Sequence, residues 1–339
     1  MNRAVKRGAL MIGSAAVIAG VASAVWNRRD PLDLAGKVVL ITGGSRGLGL
    51  ALARAFAKYG ASIAVCARDQ NELEVSKRDL ANRGADVLTV VCDVSDEAQV
   101  GHMIAAVIAR YGRLDVVVNN AGVIQVGPVE AMSIADFEKT MNVMFWGTVH
   151  TTLAALPHLR RRRKSRVINI TSVGAKASIP HLVPYSCAKF AAAAFSEGMG
   201  AELQGTGVKV VTIAPGLMRT GSHVNAEFKG NEDAEAAWFS VSASLPGVSM
   251  AAERAAEQIV DATRFGYSER ILSVPANVLA RLHGVLPGMT IDLLGMAGRF
   301  LPKNRPQAGD TARALENPWL YALTTLGRHA ARRLLQPGM

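Results

Sequence analysis

Seven short apolar runs, rich in β-branched residues, alternate with segments of helical periodicity between residues 37 and 274. The runs read KVVLIT, SIAVCA, DVLTVV, DVVVN, RVINIT, VKVVTIA and RILSV. Strands that are separated by helices pair in parallel through right-handed crossovers, with helices on both faces of the sheet. The sequence therefore predicts an α/β fold, a doubly wound parallel sheet of about seven strands, in one domain of residues 31–275.

A glycine-rich turn follows the first run. Thr42, Gly43, Gly47 and Gly49 have the spacing T-G-x-x-x-G-x-G, and the helix-forming stretch LALARAFAKYG comes directly after them. Glycines let the backbone approach a ligand closely, and the free N–H groups and dipole of a helix N-terminus favour a pyrophosphate. Such turns also occur simply to make tight loops, so the turn alone does not decide between a binding site and a structural loop.

Further motifs follow the later runs in a fixed order. Asp93 follows the third run, the sequence NNAG occupies residues 119–122 after the fourth, and P-G-x-x-x-T occupies residues 215–220 after the sixth. Tyr185 and Lys189 form a Y-x-x-x-K pair. Together these motifs resemble the short-chain dehydrogenase/reductase family over about residues 34–274.

The resemblance implies a nicotinamide dinucleotide cofactor and a set of residues around it. Hydride would pass between the nicotinamide and a substrate carbon while Tyr185 moves the proton, with Lys189 on the nicotinamide ribose, Ser172 on the substrate oxygen and Asn142 holding a water. The implied catalytic residues are Asn142, Ser172, Tyr185 and Lys189. The implied cofactor-binding residues are Thr42, Gly43, Ser45, Arg46, Gly47, Leu48, Gly49, Arg68, Asp93, Asn119, Ala121, Gly122, Tyr185, Lys189, Pro215, Gly216 and Thr220.

Tyr185 and Lys189 lie four residues apart in a helix-forming stretch, so both project from one face of a helix. A free tyrosine has a pKa near 10, and an adjacent ammonium group favours the phenolate. We therefore expect Lys189 to lower the pKa of Tyr185 and so make it the general acid or base.

The end of the second strand predicts the type of dinucleotide. An acidic residue there would bind the ribose 2′-hydroxyl of NAD, but the strand offers Ala67 followed by Arg68. Arg46 in the glycine turn can reach the same space, and two arginines make a charge-assisted site for a 2′-phosphate. The sequence therefore favours NADP(H), although Asp69 is close enough to complicate the assignment.

The chain has a formal net charge of +11, which is unevenly distributed. Residues 1–30 and 301–339 each carry an excess of four positive charges, leaving an excess of three for residues 31–300. Because no aromatic residues interleave with the basic run at 160–166, we do not expect nucleic-acid binding. Cys66, Cys92 and Cys187 have no metal-ligand spacing and are interpreted as reduced core cysteines, and no metal site is predicted.

Residues 8–26 contain no charged residue and are bracketed by basic ones, so residues 1–30 are interpreted as a membrane segment. A signal peptide cleaved near residues 22–24 is the alternative, and the side of the membrane stays open. Residues 276–339 form an extension. Its first part, 276–302, is predicted to be two short apolar helices that lie on the membrane, roof the pocket or pack as a plain extension.

These features favour a membrane-associated, NADP(H)-dependent oxidoreductase acting on a hydroxyl or carbonyl of a hydrophobic, lipid-, sterol- or retinoid-like substrate. Phe228, Trp238 and Phe239 are the candidate apolar lining of the substrate side. The alternatives are a cofactor-binding scaffold or sensor without meaningful turnover, and an epimerase or dehydratase on the same fold. The resemblance further implies a dimer or tetramer through the helices that bear Asn142 and Tyr185.

Overall fold

The computed structural model describes residues 31–303 and 323–336. Its centre is a sheet of seven parallel strands in the spatial order β3-β2-β1-β4-β5-β6-β7, which confirms the predicted doubly wound fold and the seven predicted runs. The strands are β1 Val38–Thr42, β2 Ser62–Ala67, β3 Val87–Val91, β4 Val116–Asn119, β5 Ser165–Ile170, β6 Val208–Pro215 and β7 Glu269–Leu272.

Strand β1 lies between β2 and β4 and is buried along its whole length. Its side chains alternate between two hydrophobic cores, one on each face of the sheet. Val39 and Ile41 enter one core, and Val38 and Leu40 enter the other. Burial on both faces explains why the run is continuously apolar and does not alternate with polar residues.

Helices connect the strands and cover both faces. Asp69 and Asp96 cap two of them through side-chain bonds to backbone N–H groups, which fixes where those helices begin. The helices are α1 Gly47–Ala57, α2 Gln70–Ala81, α3 Glu97–Tyr111, α4 Ile134–Met141, α5 Gly147–Arg160, α6 Val183–Glu202, α7 Glu232–Ser244, α8 Ala252–Phe265, α9 Val274–Val285, α10 Pro287–Gly298 and α11 Thr325–Arg333. A π-helical turn, Asn142–Trp146, joins α4 to α5.

The order of the strands reverses between β1 and β4. In open α/β sheets a crevice forms at this point, beyond the carboxyl ends of the strands. Short two-residue strand pairs lie on the same side: Gln125–Val126 pairs with Glu227–Phe228, and Met218–Arg219 pairs with Met250–Ala251. The fold therefore collects several loops around one crevice.

The extension begins with the predicted pair of short helices, α9 and α10, and the predicted domain boundary at residue 275 falls inside α9. No residue of 276–302 lines the cavity that is described below, and the three alternatives for this segment stay predictions. Many large apolar side chains between residues 274 and 300 are exposed: Val274, Val278, Val285, Leu286, Met289, Ile291, Leu293, Met296 and Phe300.

The predicted membrane segment, residues 8–26, lies outside the described residues. Across residues 31–303 and 323–336, no helix is both long and apolar enough to cross a bilayer. The three cysteines are unpaired, with Cys66 and Cys92 buried. Cys187 is exposed, so its predicted core position is wrong.

Candidate active site

A cavity of about 600 Å³ occupies the crevice beyond the carboxyl ends of β1, β2 and β4. Most of the predicted cofactor residues line it, together with two of the four predicted catalytic residues. They are Gly43, Ser45, Arg46, Gly47, Leu48, Gly49, Arg68, Asp93, Ala121, Gly122, Tyr185, Lys189 and Thr220.

The turn between β1 and α1 contains positions at which only glycine fits. Gly47 has a positive φ of 57°, and a Cβ added to Gly49 would lie 2.1 Å from the Gly43 carbonyl oxygen. The backbone N–H groups of Leu48 and Gly49, which follow Gly47 in the first turn of α1, have no acceptor within the helix. This narrow turn, with helix N–H groups at the cavity wall, fits a dinucleotide pyrophosphate.

Thr42 does not line the cavity, but it fixes the geometry of the turn. Its hydroxyl oxygen accepts bonds from the backbone N–H groups of Asn120, at 3.0 Å, and Ala121, at 3.1 Å. The Asn120 side-chain amide in turn donates to the carbonyl oxygens of Thr42 and Gly43, each at 3.0 Å. Asn120 lines the cavity. It belongs to the NNAG motif of residues 119–122, but it is not among the predicted site residues.

Asn119 was predicted to bind the cofactor, but it does not line the cavity. Its side chain is buried, and its Nδ2 donates to the Thr152 hydroxyl at 2.9 Å and to Asn169 Oδ1 at 2.8 Å. As the last residue of β4 it points back between the sheet and α5 and ties β4 to β5. A strand changes side-chain direction at each residue, which is why Asn119 and Asn120 have different environments.

Pro215 and Gly216 also lie outside the cavity lining. Pro215 is the last residue of β6, and Gly216 packs against the start of α9, where an added Cβ would lie 2.7 Å from the Ser273 hydroxyl. They bring the chain to Thr220, which does line the cavity. Their contribution is therefore to the course of the backbone.

Tyr185 and Lys189 lie on α6, as the sequence predicts, and reach the cavity from the side of β5. The ammonium of Lys189 donates to the Ile170 carbonyl oxygen at 2.7 Å and lies 5.8 Å from the centroid of the Tyr185 ring. Ser172 follows β5, and its hydroxyl oxygen accepts a bond from the Gly174 N–H at 3.0 Å. Ser172 also lies within hydrogen-bonding reach of the Tyr185 phenol.

The protonation of this pair differs from the sequence expectation. Burial raises the pKa of Tyr185 above its ordinary value, and only the hydrogen bond with Ser172 opposes that rise. Burial lowers the pKa of Lys189 from 10.5 to about 8. The net direction of the tyrosine pKa is therefore opposite to the expectation, because burial disfavours the charged phenolate. Tyr185 is a neutral phenol near pH 7 and is suited to donate a proton.

Asn142 is exposed and does not line the cavity, so the structure does not bring it into the predicted catalytic group. Met144, two residues later, is buried and lines the cavity, with its sulfur 3.5 Å from a Cβ built on Gly122. The two residues belong to the same π-helical turn and project in different directions. At this turn the cavity wall is therefore formed by the Met144 thioether, and the water-holding role of Asn142 stays a prediction.

The two arginines predicted to bind a 2′-phosphate both line the cavity near the end of β2. Arg46 forms an ion pair with Glu72 at the start of α2, and the Ser45 hydroxyl donates to the same carboxylate at 2.8 Å. Asp69 caps α2 by accepting the Glu72 N–H at 2.9 Å. The carboxylates of Glu72 and Asp69 therefore bond to the glycine turn and to the start of α2, while Arg68 lines the cavity wall.

The predicted aromatic residues form a cluster that packs against Tyr185, and none of the three lines the cavity. Phe239 is buried with Val126 and Leu182, and Phe228 and Trp238 pack against this group. The Trp238 indole N–H donates to the fully buried Glu235, which also contacts His181 Nδ1 at 2.8 Å. These contacts attach α7 to the loop that precedes α6, next to Tyr185.

One further cavity residue, Gln336, comes from the C-terminal extension. No motif surrounds it in the sequence, and only the folded chain brings it beside the glycine turn.

Comparisons with known proteins agree with this architecture. Residues 37–229 match the family model described as short chain dehydrogenase. A dehydrogenase/reductase SDR family protein 7-like from Anopheles gambiae is 37% identical over 204 residues, which is 59% of this chain and 64% of that protein. A putative ketoacyl reductase of granaticin polyketide synthase from Streptomyces violaceoruber is also 37% identical, over 56% of this chain and 71% of that protein.

Solved structures extend the likeness over more of the chain. A short-chain dehydrogenase from Streptomyces avermitilis has a TM-score of 0.66 at 28% identity, covering 78% of this chain and 98% of its own. A gluconate 5-dehydrogenase from Burkholderia cenocepacia, in complex with NADP and tartrate, has a TM-score of 0.63 at 28% identity, covering 74% and 98%. An actinorhodin polyketide ketoreductase variant with NADPH has a TM-score of 0.62 at 26% identity, covering 70% and 95%.

Proposed function

Because the chain belongs to the short-chain dehydrogenase family, we propose that it is an NADP(H)-dependent oxidoreductase that interconverts a hydroxyl and a carbonyl group on a hydrophobic substrate. The observation that carries this proposal is the position of Tyr185 and Lys189 at one end of the cavity that the glycine turn lines, with Ser172 within hydrogen-bonding reach of the tyrosine. The cofactor, when bound, supplies or accepts the hydride.

The protein's own residues handle the proton. The raised pKa of Tyr185 keeps the phenol protonated near neutral pH, so it can donate its proton to the oxygen of a carbonyl that is being reduced. Ser172 shares the hydrogen bonding of that oxygen. Lys189, held by the Ile170 carbonyl, provides a positive charge beside the ring that stabilises the phenolate left after transfer.

The cofactor preference is supported by the charges near the end of β2. Arg46 and Arg68 line the cavity, and the strand ends in Ala67 where an acidic residue would favour NAD. The gluconate 5-dehydrogenase and the polyketide ketoreductase, which are structurally similar, contain NADP and NADPH. When the 2′-phosphate binds, Arg46 would exchange part of its contact with Glu72 for the phosphate oxygens.

The hydrophobic substrate is supported by the surroundings of Tyr185. The aromatic cluster of Phe228, Trp238 and Phe239 packs on one side of it, and Met144 lines the cavity on another. Few hydrogen-bonding groups of these residues are available for a sugar or other polar substrate. We therefore expect an apolar ketone or aldehyde, or the matching alcohol.

Membrane association is supported by two separate parts of the chain. The first is the uncharged sequence 8–26, and the second is the exposed apolar side of the α9–α10 pair. Exposed apolar patches of this kind mark interaction surfaces, and basic residues at 281, 299 and 303 flank this one. The proposed occupant is the surface of an anionic membrane.

Self-association is supported by exposed apolar side chains on α5 and α6 and the π-helical turn. Trp146, Leu153 and Phe190 are each about half exposed. Burying them between two copies would remove apolar area from water, so we propose a dimer or tetramer through these helices. Light scattering coupled to gel filtration measures the mass directly.

The activity is tested with the full chain in detergent, by following NADPH absorbance across a panel of apolar ketones and aldehydes. Turnover by the wild type that is lost in Tyr185→Phe supports the proposal, because the variant keeps the ring and loses only the proton. Product formation without net NADPH consumption indicates an epimerase or dehydratase. Tight NADPH binding with no turnover in either direction indicates a cofactor-binding scaffold.

A further inference from the structure

The C-terminal segment Thr325–Gln336, which we call the C-terminal clamp, packs directly on the glycine turn. It lies far outside residues 37–229, which match the family model. It consists of helix α11 and the three residues that follow it. The cavity wall at this place therefore comes from a part of the chain that the family pattern does not include.

The clamp is anchored by buried apolar contacts. Ala330, Ala331 and Leu334 are completely buried, and Leu334 belongs to the same hydrophobic core as Leu48 of the turn. A Cβ added to Gly221 would lie 2.4 Å from the Ala331 Cβ, so the loop after Thr220 is also in close contact with it. Complete burial of three side chains over so short a segment shows that it belongs to the folded core.

Two backbone carbonyl groups of the clamp accept bonds from helix α1. The Gly47 N–H donates to the Leu334 carbonyl oxygen at 2.9 Å, and the Arg54 guanidinium donates to the Arg333 carbonyl oxygen at 2.9 Å. The Gly47 amide is the first of the helix and would otherwise have no acceptor in it. The clamp thereby fixes the first residue of the helix and leaves the Leu48 and Gly49 amides for a ligand.

Gln336 extends from the clamp into the wall of the cavity. Its Nε2 donates to the Thr220 carbonyl oxygen at 2.9 Å, and its Oε1 accepts from Asn225 Nδ2 at 2.6 Å. Only 7% of the residue is exposed. A Cβ on Gly47 would lie 2.9 Å from Nε2, so the amide is directly above the turn.

We infer that Gln336 is a cofactor-positioning residue and that the C-terminal clamp completes the half of the dinucleotide site between Gly47 and Thr220. Nε2 carries two hydrogens, and the bond to Thr220 uses one of them. The second is donated to the nicotinamide ribose phosphate of the bound cofactor, a group that adenosine 2′,5′-bisphosphate lacks. This inference rests on the proposed function in that it takes the ligand to be a nicotinamide dinucleotide.

The test compares two ligands on the full chain in detergent. NADPH spans the whole cavity, whereas adenosine 2′,5′-bisphosphate reaches only the end formed by Arg46, Arg68 and Asp93. Isothermal titration calorimetry with Gln336→Ala is expected to show about a tenfold weaker affinity for NADPH and an unchanged affinity for the bisphosphate. Gln336→Glu keeps the shape of the side chain and adds a negative charge near the phosphates, so it weakens NADPH binding further.

Arg332→Ala is the matched control, because Arg332 is exposed on the same segment and does not line the cavity. It is expected to bind both ligands like the wild type. Equal or tighter binding of NADPH by Gln336→Ala overturns the inference, and so does an equal loss for both ligands, since that indicates general destabilisation. If the wild type binds NADPH and the Gln336 variants bind it equally well, the inferred role of the C-terminal clamp is refuted and the proposed function is not. A wild type that binds neither NADPH nor NADH refutes the proposed function and the clamp with it.

Discussion

Replacing Lys189 with Met tests whether burial sets the charge of the active-site lysine. The folded protein holds the pKa of Lys189 at about 8, against 10.5 when the side chain is in water. That difference corresponds to about 3 kcal/mol. Between these two pH values the unfolded chain keeps the proton on the lysine while the folded chain releases it. A higher pH therefore favours the folded wild type across this window, and the effect is absent in the variant.

We expect the stability of Lys189→Met, measured relative to the wild type, to be constant below about pH 8 and to fall by about 3 kcal/mol by pH 10.5. The absolute difference at pH 7 also includes the lost bond to the Ile170 carbonyl, so the dependence on pH is the informative quantity. Urea unfolding followed by tryptophan fluorescence measures both proteins in each buffer.

Lys77→Met is the matched control, because Lys77 is an exposed lysine on α2. Its stability relative to the wild type should not change across the same buffers. A difference between Lys189→Met and the wild type that stays flat from pH 7 to 10.5 would refute the reasoning, since it would mean that the lysine keeps its proton in the folded protein. A stability of Lys189→Met that rises with pH relative to the wild type would show that a negative charge holds the ammonium in the folded protein.

Three more predictions concern the cavity wall. Replacing both Arg46 and Arg68 with Ala should weaken NADPH binding at least about tenfold while changing NADH binding little. If calorimetry shows that the binding of both cofactors weakens equally, the NADP(H) proposal is contradicted. Asn142→Ala should keep kcat within about twofold of the wild type in the NADPH assay, because the side chain is exposed outside the cavity, and a large loss would return Asn142 to the catalytic group. Gly49→Ala should lower the free energy of unfolding by about 1–3 kcal/mol or more, since the new Cβ meets a carbonyl oxygen at 2.1 Å; Gly101→Ala, in a helix with open space around it, should not be destabilised.

The sheet could be predicted from the sequence because its strands are buried on both faces. Such strands have no polar alternation, so each appears as one uninterrupted apolar run, and the helices between them force parallel pairing. The glycine turn could be predicted for a similarly local reason. Gly47 is required by its own positive φ, and Gly49 is required because a side chain there would collide with the nearby Gly43 carbonyl oxygen.

The catalytic group was harder to place, because a motif gives the order of residues and not their direction. Asn142 has the residue type that the motif requires, but a π-helical turn begins at that position, and it is Met144 that faces the cavity. Asn119 and Asn120 are adjacent in one motif, and the strand end directs only the second towards the ligand. The pKa of Tyr185 was predicted in the wrong direction because burial depends on tertiary packing that the sequence does not report.

Gln336 lay beyond any local inference, since its bond to the Thr220 carbonyl joins residues that are 116 positions apart. Its effect nevertheless reaches the most local element of the site, because the same segment accepts the first amide of the helix after the glycine turn. A helix N-terminus that is fixed before the ligand arrives loses less entropy when the ligand binds. In this chain, therefore, the family's shared turn and an extension outside the family pattern line one cavity.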